Sequence, residues 1–157
     1  MSDFRIGHAA GADWRGAAEA CLQQMGSGSG TLGFLYVTDV IEAHYAEILR
    51  LFRAHTGIEH WVGAAGIGVC ATGTEYLDQP AIAAMVGDFD ADSFRVFSGV
   101  ANEKDAAKIA LECGGASPNF AIVHADPHTE GMEKLVTALA KRVESGFLVG
   151  GLVRKQL

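Results

Sequence analysis

The run His124-x-Asp126-x-His128 sets three metal-type ligands at alternate positions, which would share one face on an extended strand. Pro127 interrupts that strand, so a zinc or iron centre is not expected there. Asp126 has a counterpart in Asp39. Each stands where an apolar run ends and a helical pattern begins: LGFLYVTD (32–39) and FAIVHAD (120–126). Around Asp39 the flanking places hold Val37 and Ile41 rather than histidines. In open α/β sheets, ligands bind at the edge where strands end. Thr38, Asp39, His124 and Asp126 are therefore expected to face a pocket, where an aspartate can take a ligand's amino group. Two other apolar runs are rich in glycine, HWVGAAGIGV (60–69) and FLVGGL (147–152). Gly63, Ala64, Gly66, Gly150 and Gly151 would there let a backbone or a ligand come close.

Catalytic motifs find no support. Gly26-Ser27-Gly28-Ser29-Gly30 matches the string of a nucleophile elbow and looks like a phosphate loop, but it leaves a helix and enters a strand. Both of those devices need the reverse setting. Gly63-x-x-Gly66-x-Gly68 lacks the helix that a dinucleotide fingerprint requires. Cys70 has no His–acid pair at a recognisable spacing. The expectation is a protein that is not an enzyme. An enzyme of unrecognised chemistry would need His124, Asp126 and Cys70 around one cavity. A haem-binding sensor would use a histidine such as His124, His60 or His8, and sequence alone does not reveal an axial ligand.

The elements that must hold these residues follow from periodicity. Asp13 caps a helix whose apolar face is Trp14, Ala17, Ala18, Cys21, Leu22 and Met25. Leu32–Val37 is a strand buried on both faces. Tyr45, Ile48, Leu49 and Phe52 make a second helical stripe that ends at Gly57, and Trp61–Val69 is a glycine-studded strand. AIAAMVG (81–87) is a further strand, antiparallel to its predecessor because the connection is too short for a crossover. Phe94–Phe97 opens a new strand. A helix capped by Asn102 follows, then the strand 120–125, a helix through Met132, Leu135, Val136, Leu139 and Val143, and a closing strand 147–153. The class is α/β: a mostly parallel sheet with packed helices, built from two similar βαβαβ halves. Residues 31–69 lie on 118–156 without a gap, with Asp39 on Asp126 and Val62-Gly63 on Val149-Gly150. The first copy runs on through Val69–Asp92 and the second stops at Leu157. The expectation is a chain, trimmed or naturally short, that lacks what comes next.

Composition bounds the function. With 157 residues, a net charge of −7 and 49% hydrophobic content, the chain is a folded, acidic protein that disfavours nucleic acid and anionic membranes as partners. No apolar run reaches the about 18 residues of a bilayer span. The start, MSDFRIGHAAGADW, has no basic stretch followed by an apolar one, so no secretory leader is expected. Three well-separated cysteines suit a reducing cytoplasm.

Taken in order, the Trp14 helix, LGFLYVTD (32–39), the helix around Tyr45–Phe52, HWVGAAGIGV (60–69), TGTEYLDQPAIAAMVGDFD (72–90), FAIVHADPHTEG (120–131) and FLVGGL (147–152) resemble the N-terminal domain of the FIST family, the F-box and intracellular signal transduction proteins. The resemblance covers nearly the whole chain. It implies one sensory domain over 1–157, without the C-terminal domain that usually follows in this family. It also implies a cytoplasmic, noncatalytic role in signal transduction, with a small ligand, such as an amino acid, as the signal. Its partner would be that missing domain or a signalling protein. Some relatives bind haem and sense nitric oxide, which keeps haem open as a cofactor without assigning it a histidine here.

Overall fold

The computed structural model describes residues 4–113, 117–153 and 155–156. Leu157, on which the expected early stop turns, lies outside the described residues. The chain divides into two compact units, the first ending at Val96 and the second beginning at Phe97.

The first unit begins with β1 (Phe4–Ala10), α1 (Trp14–Met25), β2 (Leu32–Thr38), a 3-10 turn (Asp39–His44), α2 (Tyr45–Thr56) and β3 (His60–Gly66). This is the βαβαβ order read from periodicity. Asp13 caps α1 by accepting from the Gly16 N–H at 2.9 Å, and Ala17, Ala18, Cys21, Leu22 and Met25 are buried along the helix as their spacing requires. Gly57, in the left-handed conformation at φ 72°, closes α2. The chain continues into a hairpin, β4 (Gly68–Ala71) and β5 (Thr74–Leu77), and then β6 (Ala81–Gly87).

Two expectations are corrected here. The first is that the sheet is mixed rather than mostly parallel. Its strands run β1-β6-β2-β3, with β2 and β3 parallel while β6 enters between β1 and β2 antiparallel to both. The reason is local. The turn before β6 is pinned on one side by the Thr38 hydroxyl, which donates to the Gln79 carbonyl at 2.7 Å and accepts from the Ala81 N–H at 3.1 Å. On the other side the Gly11 N–H donates to the Pro80 carbonyl at 3.0 Å. β6 is thereby threaded back between the ends of β2 and β1. The second correction is that Trp61–Val69 is not one strand. It breaks at Ile67, and Gly68 opens the hairpin because a Cβ there would overlap the Leu77 side chain.

One face of the sheet packs on α1 and α2 through Leu35, Val37, Ile48, Phe52, Trp61, Ile82 and Ala84. The other face carries a smaller cluster of Val69, Ala81 and Ala83, with Ala10, Tyr36, Ala71 and Tyr76 packed against it. β2 and β6, both buried nearly throughout, are the centre of this unit.

The second unit holds α3 (Glu103–Glu112), β7 (Phe120–Ala125), α4 (Met132–Ala140) and β8 (Phe147–Leu152). Asn102 caps α3 by accepting from the N–H groups of Lys104 and Asp105 at 2.9 and 3.2 Å. Asp105 accepts in return from the Ala101 N–H at 3.1 Å, the bond that leads in holding its carboxyl below the usual carboxylate range. β7 and β8 are parallel, from Phe120 opposite Phe147 to Ala125 opposite Leu152. The expected strand at Phe94–Phe97 does not form. Ser93 donates twice to the Asp90 carbonyl and Arg95 donates to the Ala91 and Phe94 carbonyls, so turn chemistry takes the backbone there. Among the described residues the second half therefore runs αβαβ and ends in the two-residue strand β9 (Lys155–Gln156), not in a second βαβαβ.

Candidate functional site

The nine residues expected to line a pocket fall into both units. In the first, Thr38 and Gly66 are register partners at the carboxyl ends of β2 and β3, with Tyr36 opposite Ala64 and Leu35 opposite Gly63. Thr38 is fully buried and its hydroxyl serves the β6 turn. Ala64 is buried too. A Cβ at Gly63 would run into the Leu35 carbonyl, which also accepts from the buried Tyr45 hydroxyl at 2.6 Å. Burial pushes the Tyr45 hydroxyl well above the usual tyrosine range and raises that of Tyr36, so both stay neutral. At Gly63, then, a neighbouring backbone makes the close approach. Asp39 and Gly66 remain half-buried at the edge, Asp39 at the first position of the 3-10 turn.

In the second unit, Val123 lies opposite Gly150 and His124 opposite Gly151. Gly150 repeats the geometry of Gly63: a Cβ there would run into the Val123 carbonyl, at a φ of 142° that side chains rarely adopt. Asp126 accepts from the His128 N–H at 2.8 Å, while its carbonyl accepts from the Thr129 N–H at 3.0 Å. It therefore organises the turn into α4. His124 is half-buried, and loss of solvent pushes its pKa below the ordinary 6.5.

The remaining candidates are dispersed. His8 Nδ1 is 2.8 Å from the Tyr76 hydroxyl, tying β1 to the hairpin. His60 is exposed, edge-on to Phe94 with centroids 5.5 Å apart. Cys70 is exposed, 3.9 Å from a Glu75 oxygen, and belongs to the first unit, whereas His124 and Asp126 belong to the second. Burial raises the Cys21 thiol to about 12, so it stays protonated within the core. Among the described residues no three His, Cys, Asp or Glu side chains gather as a metal site.

The opposite end of the strands in the first unit carries a concave surface. An open depression of about 400 Å³ is lined by Gly30 and Thr31 before β2, Ile58, Glu59 and His60 entering β3, and the turn Ala91–Val96 after β6. Arg95 contributes a guanidinium, Glu59 a carboxylate, and Phe94 and buried Ile58 apolar surface. Thr31 is held there by its hydroxyl, which donates to the Phe89 carbonyl and accepts from the Phe89 N–H, both at 2.8 Å. Strand-end reasoning missed Thr31, Glu59 and Arg95. They sit in three connections, the first two brought together by the β2–β3 pairing and the third by the insertion of β6, and no local pattern announces that insertion.

These features define a first unit of mixed α/β fold with helices on one sheet face and a hairpin on the other, followed by a smaller α/β unit. Residues 31–156 match the FIST N domain family, and the chain belongs to that family of sensory domains in signal transduction. The match runs from the entry to β2 past β8 to residue 156 and leaves β1 and α1 outside it. No curated protein matches the chain. No helix among the described residues is long and apolar enough to cross a membrane.

Proposed function

We propose that this chain is a noncatalytic sensory domain that binds a small polar ligand and reports its presence to a signalling partner in the cytoplasm. Membership of the FIST N domain family over residues 31–156 is the observation that carries the reading. The partner is a C-terminal FIST domain or a separate signalling protein. The ligand is an amino acid or a close analogue, held in the depression between Thr31, Glu59, His60 and Arg95. An Arg95 guanidinium suits a carboxylate, a Glu59 carboxylate suits an ammonium group, and Phe94 with Ile58 suits an apolar side chain. The strand-end aspartates Asp39 and Asp126, one in each unit, are the competing places for the amino group. The three free cysteines support a reducing compartment.

Thermal-shift measurements with a panel of amino acids and small metabolites test this. A ligand at a hundred times its Kd adds about 2.7 kcal/mol to the stability of the unit that holds it, a rise of several degrees. The rise is expected to vanish in Arg95→Ala and to persist in Asp39→Asn and Asp126→Asn. The reverse result moves the site to the strand ends, and no shift with any compound overturns ligand sensing.

A further inference from the structure

We infer that the carboxyl edge of β2 and β3 is a protein-docking surface that takes a basic amphipathic segment of a partner. Three large aliphatic side chains stand in solvent there. Val40 is 52% exposed, Ile67 72% and Leu77 48%. The topology gathers them at one edge. Thr38 and Gly66 are register partners, Val40 follows the first by two residues, and Ile67 follows the second by one. Leu77 is the register partner of Gly68, immediately after Ile67, and a Cβ on Gly68 would overlap its side chain. An isolated exposed aliphatic residue is ordinary, but three that the strand register carries to one edge form a surface of the kind that marks interaction sites.

The charge around the patch selects the occupant. Asp39 and Glu42 lie in the 3-10 turn on either side of Val40 and Ile41, Asp78 follows Leu77 directly, and Glu75 lies two residues before Leu77 along β5. One cation and one imidazole are engaged with Trp14 at the start of α1: the Arg15 guanidinium lies 4.4 Å from that ring and His44 stacks on it at 5.5 Å. The rim beside the aliphatic trio is thus acidic. A segment bearing Leu or Ile anchors between Lys or Arg residues is complementary to it, whereas an acidic segment or a second copy of the same acidic rim is repelled. Asp78 also holds φ 55°, the only non-glycine residue at positive φ among those described, which turns the chain sharply beside Leu77. The inference depends on the sensory reading only for the partner's place downstream of a signal. The surface itself rests on the patch and its charge.

Anisotropy titrations of the full chain with two labelled peptides of equal length test it, one alternating Leu and Lys and the other alternating Leu and Glu. The Leu/Lys peptide is expected to bind with an affinity that weakens as salt rises, and the Leu/Glu peptide not to bind. Ile67→Ser, a change in solvent, is expected to weaken binding about tenfold. Glu42→Gln with Asp78→Asn should weaken it severalfold, asparagine being tolerant of the backbone at position 78. Asp88→Asn with Asp90→Asn, beyond the end of β6 at the opposite edge, removes the same formal charge and should leave binding unchanged. Equal loss in the two charge pairs would reduce the effect to net charge and overturn the inference. So would no binding of either peptide, indifference to Ile67→Ser, or concentration-dependent dimers in sedimentation that Ile67→Ser dissolves. None of these readouts involves the small ligand, so the docking surface and the ligand reading fail separately.

Discussion

In β2–α2–β3 and again in β7–α4–β8, a parallel strand pair is joined through one helix and pinched at a glycine. Gly63 faces the Leu35 carbonyl and Gly150 faces the Val123 carbonyl. An aspartate opens each crossover, Asp39 in the first and Asp126 in the second. Around this shared plan the covering differs. β2 is buried along almost its whole length between α1, α2 and the β4–β5 hairpin, and α2 buries Tyr45, Ile48 and Phe52. Of the α4 residues only Leu135 is buried, and along β8 Phe147 and Leu152 are each 63% exposed. Parallel strands are normally covered on both faces, and a two-stranded sheet is marginal by itself. The same local pattern thus yields a well-buried core in one unit and a thin one in the other. Layers added by β6 and the hairpin, rather than the crossover itself, make the difference.

The sharpest way to break that contrast is to truncate equivalent helix positions. Phe52 is fully buried and edge-on to Trp61 at 5.5 Å, so Phe52→Ala should cost about 4 kcal/mol. Leu139, its counterpart on α4, is half-buried, and Leu139→Ala should cost about 1 kcal/mol. Denaturant unfolding followed by a probe in each unit measures both, and equal costs would mean that the second unit is as well packed as the first. The glycine pair comes next. Gly63→Ala forces a methyl against a buried carbonyl and should cost about 3 kcal/mol. Gly150→Ala meets the same obstacle on an exposed strand that has room to shift, and should cost about 1 to 2 kcal/mol. Thr38→Val removes a hydroxyl that both donates and accepts in the core, leaving the Ala81 N–H unmet at a cost of about 2 kcal/mol. Asp126→Ala loosens a turn in partial solvent and should cost about 1 kcal/mol.

What the sequence disclosed, and what it hid, follows the same division. The helices α1 and α2 and the strand β2 were legible because each has a clean period or apolar run and a punctuating residue: Asp13 before α1, Gly26 and Gly57 after the helices, and a continuous apolar run at Leu32–Val37. The existence of β6 was legible too, but its position between β1 and β2 was not. That depends on Thr38 and Gly11 meeting the Gln79–Ala81 turn, and hydrogen bonds across some 40 or 70 residues leave no periodic trace. Phe94–Phe97 misled because an aromatic, β-leaning tetrapeptide outweighed the Asp90 and Ser93 turn just before it. At the candidate site, strand-end logic pointed to Asp39 and Asp126, which the structure places at the start of the two crossovers. It could not see that Thr38 and Gly63 were already committed to the fold, because their partners are backbone groups rather than side chains.

The smallest effect concerns acid. His124 on β7 has its pKa pushed below the ordinary 6.5 because the folded second unit strips part of its water, which disfavours the charged form. The unfolded chain then takes up the proton first as pH falls. The contribution of neutral His124 to stability is whole above 6.5 and declines as pH drops below it toward the lower pKa of the folded state. A half-buried ring makes this a modest slope. His124→Gln should flatten it in the unfolding of the second unit between neutral and mildly acidic pH, without touching the first unit. If the slope survives in His124→Gln, another group carries it. If it appears equally in the first unit, the acid response belongs to the whole chain and not to the thinner layer around β7.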